Sequence, residues 1–413
     1  MDFPRMVTVS QELVSDPLAT PAGALDTGLD GARVMQGLKA GSRIALAVGS
    51  RRIDGLLEVL SRLVERLKGA GCVPFMVPAM GSHGGATAEG QAAVLLNLGL
   101  SERSVGAAIE SSMETVPLGH TAGGVAAFID GNAMGSDGIV AVNRVAPHTG
   151  YSGRVQSGVV KMLAVGLGKA EGASALHRYG FESGHLIGEV ADLVLEKAPV
   201  SLAVALVEDG TKRLSRVEVL SRDDIRSREP ELLELARSMW PGIPLRSADI
   251  LIVDEMGKDI SGTGMDPLVT GRGKSFLPGE GPEFSPRCLV ALDLTPGSGG
   301  NATGVGHADV ITERLFRRID FEITQRNVIT SGALHRARVP LVAGSDRDAI
   351  AVALESLGGV SPAESRVVRI KNTGELGEFQ VSSAIIEELE GLGGIKVGGE
   401  GSELRFDQEG NLL

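Results

Sequence analysis

At 413 residues, the chain is longer than one hydrophobic core usually holds, so two domains are expected. Aromatics are only 3% of it and glycines number 57, which leaves Ala, Val, Leu and Ile to build the core and implies many tight turns. Short parallel strands with crossover helices, an α/β class, suit that composition. The net charge of −12 excludes a nucleic-acid or anionic-membrane surface as the main function, because phosphate binding needs a basic face; a local basic pocket stays open.

The N-terminus MDFPRMVTVS has no basic segment followed by an apolar one, so no signal peptide is expected. No run of about 18 uncharged apolar residues occurs, so no membrane span is expected and a cytoplasmic location is the default. Cys72 and Cys288 are far apart and outside any CxxC, which argues against a disulfide framework or a thiolate zinc site.

Residues 1–40 are polar and Gly/Ala-rich and predict a strand or loop and one helix. Arg43–Val48 is β-like and ends in Gly49-Ser50-Arg51-Arg52. Ile53, Leu56, Leu57, Leu60, Leu63, Val64 and Leu67 have helical spacing, with Gly69 and Gly71 as stops. Val73–Val77 is the next strand, followed by a Gly-rich loop with His83 and a helix over Glu89–Leu98. Gly138–Val142 is a further strand, feeding Asn143, Arg144 and then His148. In open α/β sheets ligands sit at the carboxyl ends of strands, so Arg51, His83 and His148 are expected to meet in one cleft.

Pro147–His177 is the stretch around which the chain is organised. It gathers His148, Tyr151, Ser152, Arg154, Lys161, Lys169 and His177 among several glycines, and two of the chain's seven histidines lie in it. Lys161 interrupts an apolar run, Val159–Leu167. A lysine in such a partly dry setting has a lowered pKa and attacks acyl or carbonyl groups. His177 is predicted on a following helix. The plainer reading is a helix-packing segment with ordinary surface charges.

Leu202–Val207 and Leu214–Leu220 read as strands and Ile225–Met239 as an amphipathic helix. Trp240-Pro241-Gly242-Ile243-Pro244 is the best domain boundary. It gives an N-terminal α/β domain, 1–243, and a C-terminal α/β domain, 244–394, with the tail 395–413 packing back on the first. In the second domain Ala248–Val253, Cys288–Leu292, Pro340–Ala343 and Ser365–Ile370 read as strands. Ala308–Phe316, Glu322–Thr330, Arg347–Leu357 and Ser383–Leu392 read as helices. Gly271-Arg272-Gly273-Lys274-Ser275 is not a phosphate loop, since its first glycine would fall on Leu268. Gly166-Leu167-Gly168 misses the third glycine of a dinucleotide fingerprint at Glu171. HExxH and GxSxG do not occur.

Three motifs in order carry a resemblance. They are Gly81-Ser82-His83-Gly84-Gly85-Ala86-Thr87, then Pro147-His148 through Lys161-Met162 and Gly166-Leu167-Gly168-Lys169 to His177, then Gly257-Lys258-Asp259. Together they resemble the nickel-dependent lactate racemase family. The resemblance implies two α/β domains with the active site in the cleft between them. It implies a nickel-pincer nucleotide derived from nicotinic acid, and racemisation or epimerisation of 2-hydroxy acids. By the same resemblance Lys161 matches the lysine that tethers the cofactor, and His177 the histidine that ligates nickel. His83 and His148 match the two acid/base histidines. Arg51 matches an arginine near cofactor or substrate, Lys258 a second-domain lysine facing the site, and Ser152 a serine touching cofactor phosphate or substrate. The chain departs from the family at Val48, where an acidic residue is expected, and at Arg52, where a proline is. It also departs in the spacing from His148 to Lys161 and in the loop after Asp259, so it resembles a divergent branch.

The chemistry agrees with this reading. The C2–H of a 2-hydroxy acid is a poor acid, so moving the hydrogen as hydride to a cofactor is easier than abstracting a proton. The hydroxyl proton then needs a base on each face, for which two histidines are suited. A soft donor set with one imidazole suits nickel, and Arg51 or Lys258 supplies a cation for the substrate carboxylate. The implied partners are a small 2-hydroxy acid and, transiently, cofactor-assembly enzymes, with neither nucleic acid nor membrane. The alternatives are a redox or lyase enzyme on the same scaffold, and a cofactor-free protein that binds a small anion or nucleotide.

Overall fold

The computed structural model describes residues 2–31, 39–180, 184–274, 276–277 and 280–413; parts of the predicted first helical region and Ser275 lie outside them. Two compact units result: Val14–Trp240, and Met1–Leu13 together with Pro241–Leu413. Both are α/β, with mainly parallel sheets.

In Val14–Trp240 a six-stranded sheet runs Ala108–Ile109, Val73–Pro78, Arg43–Val48, Gly138–Arg144, Val200–Glu208, Leu214–Ser221. Every neighbouring pair is parallel except the last. The chain starts at Arg43–Val48, steps to Val73–Pro78 on one side, then crosses to Gly138–Arg144 on the other. That reversal makes a topological switch point beside Arg43–Val48, the place where such sheets bind ligands.

Alternation along the strands divides two cores. Ile44, Leu46 and Val48 face the helix Leu56–Gly69, whose buried Leu56, Val59, Leu60, Leu63, Val64 and Leu67 form one apolar stripe. Ala45, Ala47, Ala141, Ala203 and Ala205 face the other way, in the same core as Val159, Val160, Leu163 and Leu167. Their small side chains let the segment that carries Lys161 lie close to the sheet. A hairpin, Thr115–His120 with Ala126–Asp130, has no counterpart in the sequence prediction.

The other unit holds a nine-stranded sheet in the order Leu341–Ala343, Val310–Thr312, Ser285–Leu294, Ser247–Met256, Val367–Ile370, Glu378–Ser382, Arg5–Gln11, Ile395–Val397; Ser402–Glu403 also pairs with Arg5–Gln11. The first five strands are parallel and the rest antiparallel. Two expectations need correcting. Residues 1–13, placed in the first domain, and the tail, expected to pack back on it, belong here. Arg5–Gln11 buries Met6, Val7 and Val9 and pairs with Glu378–Ser382 on one side and the tail on the other. The predicted helix over Ala308–Phe316 is a strand, Val310–Thr312, followed by a short helix, Glu313–Arg317. The β-branched Val310, Ile311 and Thr312 are buried in the sheet, and Thr312 caps the helix by accepting from the Leu315 N–H.

Candidate active site

Three loops leave adjacent parallel strands at the same edge of the six-stranded sheet. Arg43–Val48 leads to Ser50 and Arg51, Val73–Pro78 to His83, and Gly138–Arg144 to His148. Gly49 makes the junction possible, since a Cβ there would lie 3.1 Å from Asn143 Oδ1 and 3.4 Å from Met162 Cε. The Asn143 amide donates to Gly158 O at 2.8 Å and so ties the strand end to the start of the Lys161 segment.

The His83 loop is held by side chains from elsewhere. Gln91 Nε2 donates to Gly81 O at 2.7 Å and to His83 O at 3.3 Å. Gln91 Oε1 accepts from Lys169 Nζ at 3.0 Å, and the same ammonium donates to Pro78 O at 2.6 Å and meets Asp130 at 3.0 Å. Lys169 and Asp130 are both fully buried, so each needs the other's charge. Gly84 has φ +65°, and a Cβ there would fall 2.6 Å from the Gly90 and Gln91 backbone. The His83 ring meets Ser50, with Nδ1 2.5 Å from the hydroxyl oxygen.

The His148 turn is held by its own backbone. His148 Nδ1 accepts from the N–H groups of Gly150 and Tyr151 at 2.9 and 3.0 Å, and its main-chain N–H donates to Gln156 Oε1 at 2.8 Å. An acceptor Nδ1 leaves the proton of a neutral imidazole on Nε2. Nε2 lies 2.6 Å from Lys161 Nζ. Its N–H finds an acceptor there in the unprotonated form of the Lys161 amine. Part of the Lys161 side chain reaches solvent, but the amine is enclosed; burial first, and then the Arg51 charge, lowers its pKa to about 7. The buried Tyr151 ring lies with its centroid 5.2 Å from that nitrogen and 5.0 Å from the imidazole.

Lys161 ends a short helical turn, Val159–Lys161, that continues as a π-helical turn, Met162–Gly166, and then the helix Lys169–His177. Such π turns are frequent at functional sites. His177 ends the last helix, with its pKa lowered to about 4 by burial and then by the Lys161 charge, so its imidazole is neutral at neutral pH. Ser152 is half-buried on the turn after His148, where Gly153 adopts φ +102°. Lys258 belongs to the other unit. Its ammonium donates to Gly262 O at 2.6 Å and Asn327 Oδ1 at 3.0 Å, and its backbone N–H to Ser298 Oγ at 2.8 Å. Asp259 beside it accepts from Thr295 Oγ1 at 2.5 Å; a Cβ on Gly257 or Gly297 would come 2.4 Å from its carboxylate.

Within Val14–Trp240, then, His148 and Lys161 are in contact, Arg51 and His177 are electrostatically coupled to Lys161, and His83 is joined to the Arg51 loop through Ser50. Sequence reading missed Ser50, Gln91 and Glu229 as parts of this assembly. Glu229 had a signal: it falls on the buried stripe of the helix Ile225–Ser238 with Ile225, Leu232, Leu233 and Ala236. Ser50 and Gln91 carried none beyond their polarity.

Among the described residues, no three His, Cys, Asp or Glu side chains converge as a metal-ligand set. The donor set therefore does not form a protein-only metal cage. It does fit a metal carried by an organic group, given an uncharged amine to bear that group and a neutral imidazole to add one ligand. Among the described residues no helix is long and apolar enough to cross a membrane.

No protein-family profile matches the chain, and no curated protein sequence does. Among solved structures it is similar to the lactate racemase apoprotein from Thermoanaerobacterium thermosaccharolyticum. The likeness has a TM-score of 0.51 at 12% identity and covers 87% of this chain and 93% of that one. At that identity, what is shared is the α/β scaffold of a lactate-racemase-like protein.

Proposed function

We propose that the chain is a racemase or epimerase of a 2-hydroxy acid that works with a nickel-pincer nucleotide. The observation that carries this is the enclosed Lys161 amine, 2.6 Å from His148, with its pKa lowered to about 7 beside Arg51 and His177. When bound, the nickel-pincer nucleotide supplies the hydride acceptor that side chains do not provide. Lys161 holds it through the amine, His177 gives the metal an imidazole nitrogen, and Ser152 donates to its phosphate. Arg51 binds the substrate carboxylate, with Lys258 as a second cation.

His83 is the histidine ready to move the hydroxyl proton. Its Nδ1 partner is a hydroxyl, which donates to the neutral ring and accepts from the cationic one, so Nδ1 is served in either protonation state. His148 needs one more step. A protonated Nδ1 would confront two backbone N–H groups, so Nε2 becomes a base only once the turn 149–151 lets go of Nδ1. The partners are a small 2-hydroxy acid and the enzymes that assemble the cofactor, in the cytoplasm.

The test is to produce the protein with those assembly enzymes and measure nickel content and intact mass. The expected result is nickel together with a nucleotide-sized adduct that Lys161→Ala abolishes, and interconversion of the enantiomers of at least one 2-hydroxy acid. An adduct that survives Lys161→Ala, or protein without nickel after such production, sinks the proposal.

A further inference from the structure

We propose that Glu229 is a positioning residue that sets the Lys161 amine in place. The inference rests on the reading of Lys161 as the working amine. Glu229 is only 1% exposed, on a helix remote in sequence, and no reacting group needs it. Its Oε2 accepts from the Val160 N–H at 2.8 Å, one residue before Lys161. Its Oε1 is buried and, among the described residues, has no hydrogen-bond partner. A carboxylate buried so incompletely matched is costly, and burial raises its pKa to about 7.

The surroundings are shaped for this contact. A Cβ on Gly158 would lie 2.4–2.5 Å from the Glu229 carboxylate, so the absent side chain is the space the carboxylate fills. Gly158 is in turn pinned by the Asn143 amide on its carbonyl. The first turn of the Lys161 segment is thus fixed at its N–H by Glu229 and at its preceding carbonyl by the strand Gly138–Arg144. Free N–H groups at the start of a helical run need an acceptor, and this run has no capping side chain of its own. The position of Lys161 Nζ against His148 follows from where that turn starts.

The experiment uses the full chain made without cofactor. An amine-selective acylating reagent is applied at pH 7 under limiting conditions, and labelling of Lys161 is read by peptide mass spectrometry against the exposed Lys212. Glu229→Ala is expected to lower the Lys161/Lys212 ratio roughly fivefold, the effect at pH 7 of about one unit in an amine pKa near 7. Glu229→Gln, which keeps an oxygen for Val160, holds the ratio within about twofold of the parent protein, whereas Glu229→Met, which fills the same space without an acceptor, is expected to lower it as alanine does. If Glu229→Ala does not fold, Gly158→Ala breaks the same contact with Glu229 still present and is expected to lower the ratio likewise. An unchanged ratio in a folded Glu229→Ala or Gly158→Ala protein overturns the proposal, as does a Glu229→Gln ratio as low as that of alanine. Because no cofactor enters this measurement, its failure and the failure to find nickel on Lys161 are separate outcomes.

Discussion

The two histidine loops of Val14–Trp240 are built in opposite ways. His83 is carried by a glycine-rich loop that distant side chains brace: Gln91 on its carbonyls, Lys169 and Asp130 behind Gln91, Ser50 on the ring. His148 is carried by a turn that braces itself, two of its own N–H groups closing on Nδ1. The first arrangement fixes the ring's place and gives Nδ1 a partner that can donate or accept. The second fixes the protonation and thereby presents Lys161 with a donor. Two residues of one type, at one sheet edge, are thus given different work by whether the partner of Nδ1 is a hydroxyl or an amide.

The largest expected effect breaks the brace behind His83. Lys169→Met leaves Asp130 buried without its cation and is expected to cost about 3–5 kcal/mol in chemical denaturation, whereas a loss below about 1 kcal/mol would mean the pair does not hold the loop. Next comes the chemistry. In protein carrying the cofactor, His83→Ala is expected to slow interconversion ~10²–10⁴-fold. In cofactor-free protein, His148→Ala is expected to change Lys161 acylation and His83→Ala to leave it alone. Equal effects of the two variants on acylation would erase the contrast between the loops.

A further effect is in pH. The folded pKa of Lys161, about 7, lies below its ordinary value of 10.5. The unfolded chain therefore binds the extra proton first, and stability is lost as pH falls from above 10.5 through 7. Melting temperature followed from pH 10 to pH 6 is expected to fall less steeply in Lys161→Met than in the parent; parallel curves would show that the amine is not depressed.

Much of the scaffold was legible from periodicity. The stripe from Leu56 to Leu67 and the strands at Arg43, Val73 and Gly138 follow local apolar spacing, and so does the placing of Arg51, His83 and His148 after strand ends. The pairing of Arg5–Gln11 with Glu378–Ser382 was not legible, because partners so distant leave no local mark. Val310–Thr312 was misread because three residues are too few to show a period of two. Within the site, Lys161 stood out as a charge in an apolar run. The lock on His148 did not, since it depends on where the N–H groups of a turn point. Lys169 was visible as a charge in the same stretch, but its complete burial depends on Asp130 and Gln91, which the sequence places far from it.

The strand Arg5–Gln11 also sets an order of events during synthesis. It is made before Val14–Trp240, and its neighbours Glu378–Ser382 and Ile395–Val397 after it, some tens of seconds later at ordinary elongation rates. Val14–Trp240 can complete its sheet in the meantime. For that interval the nascent polypeptide carries a finished globule behind an unsatisfied β-ribbon, a natural client for a chaperone that shields bare strand edges.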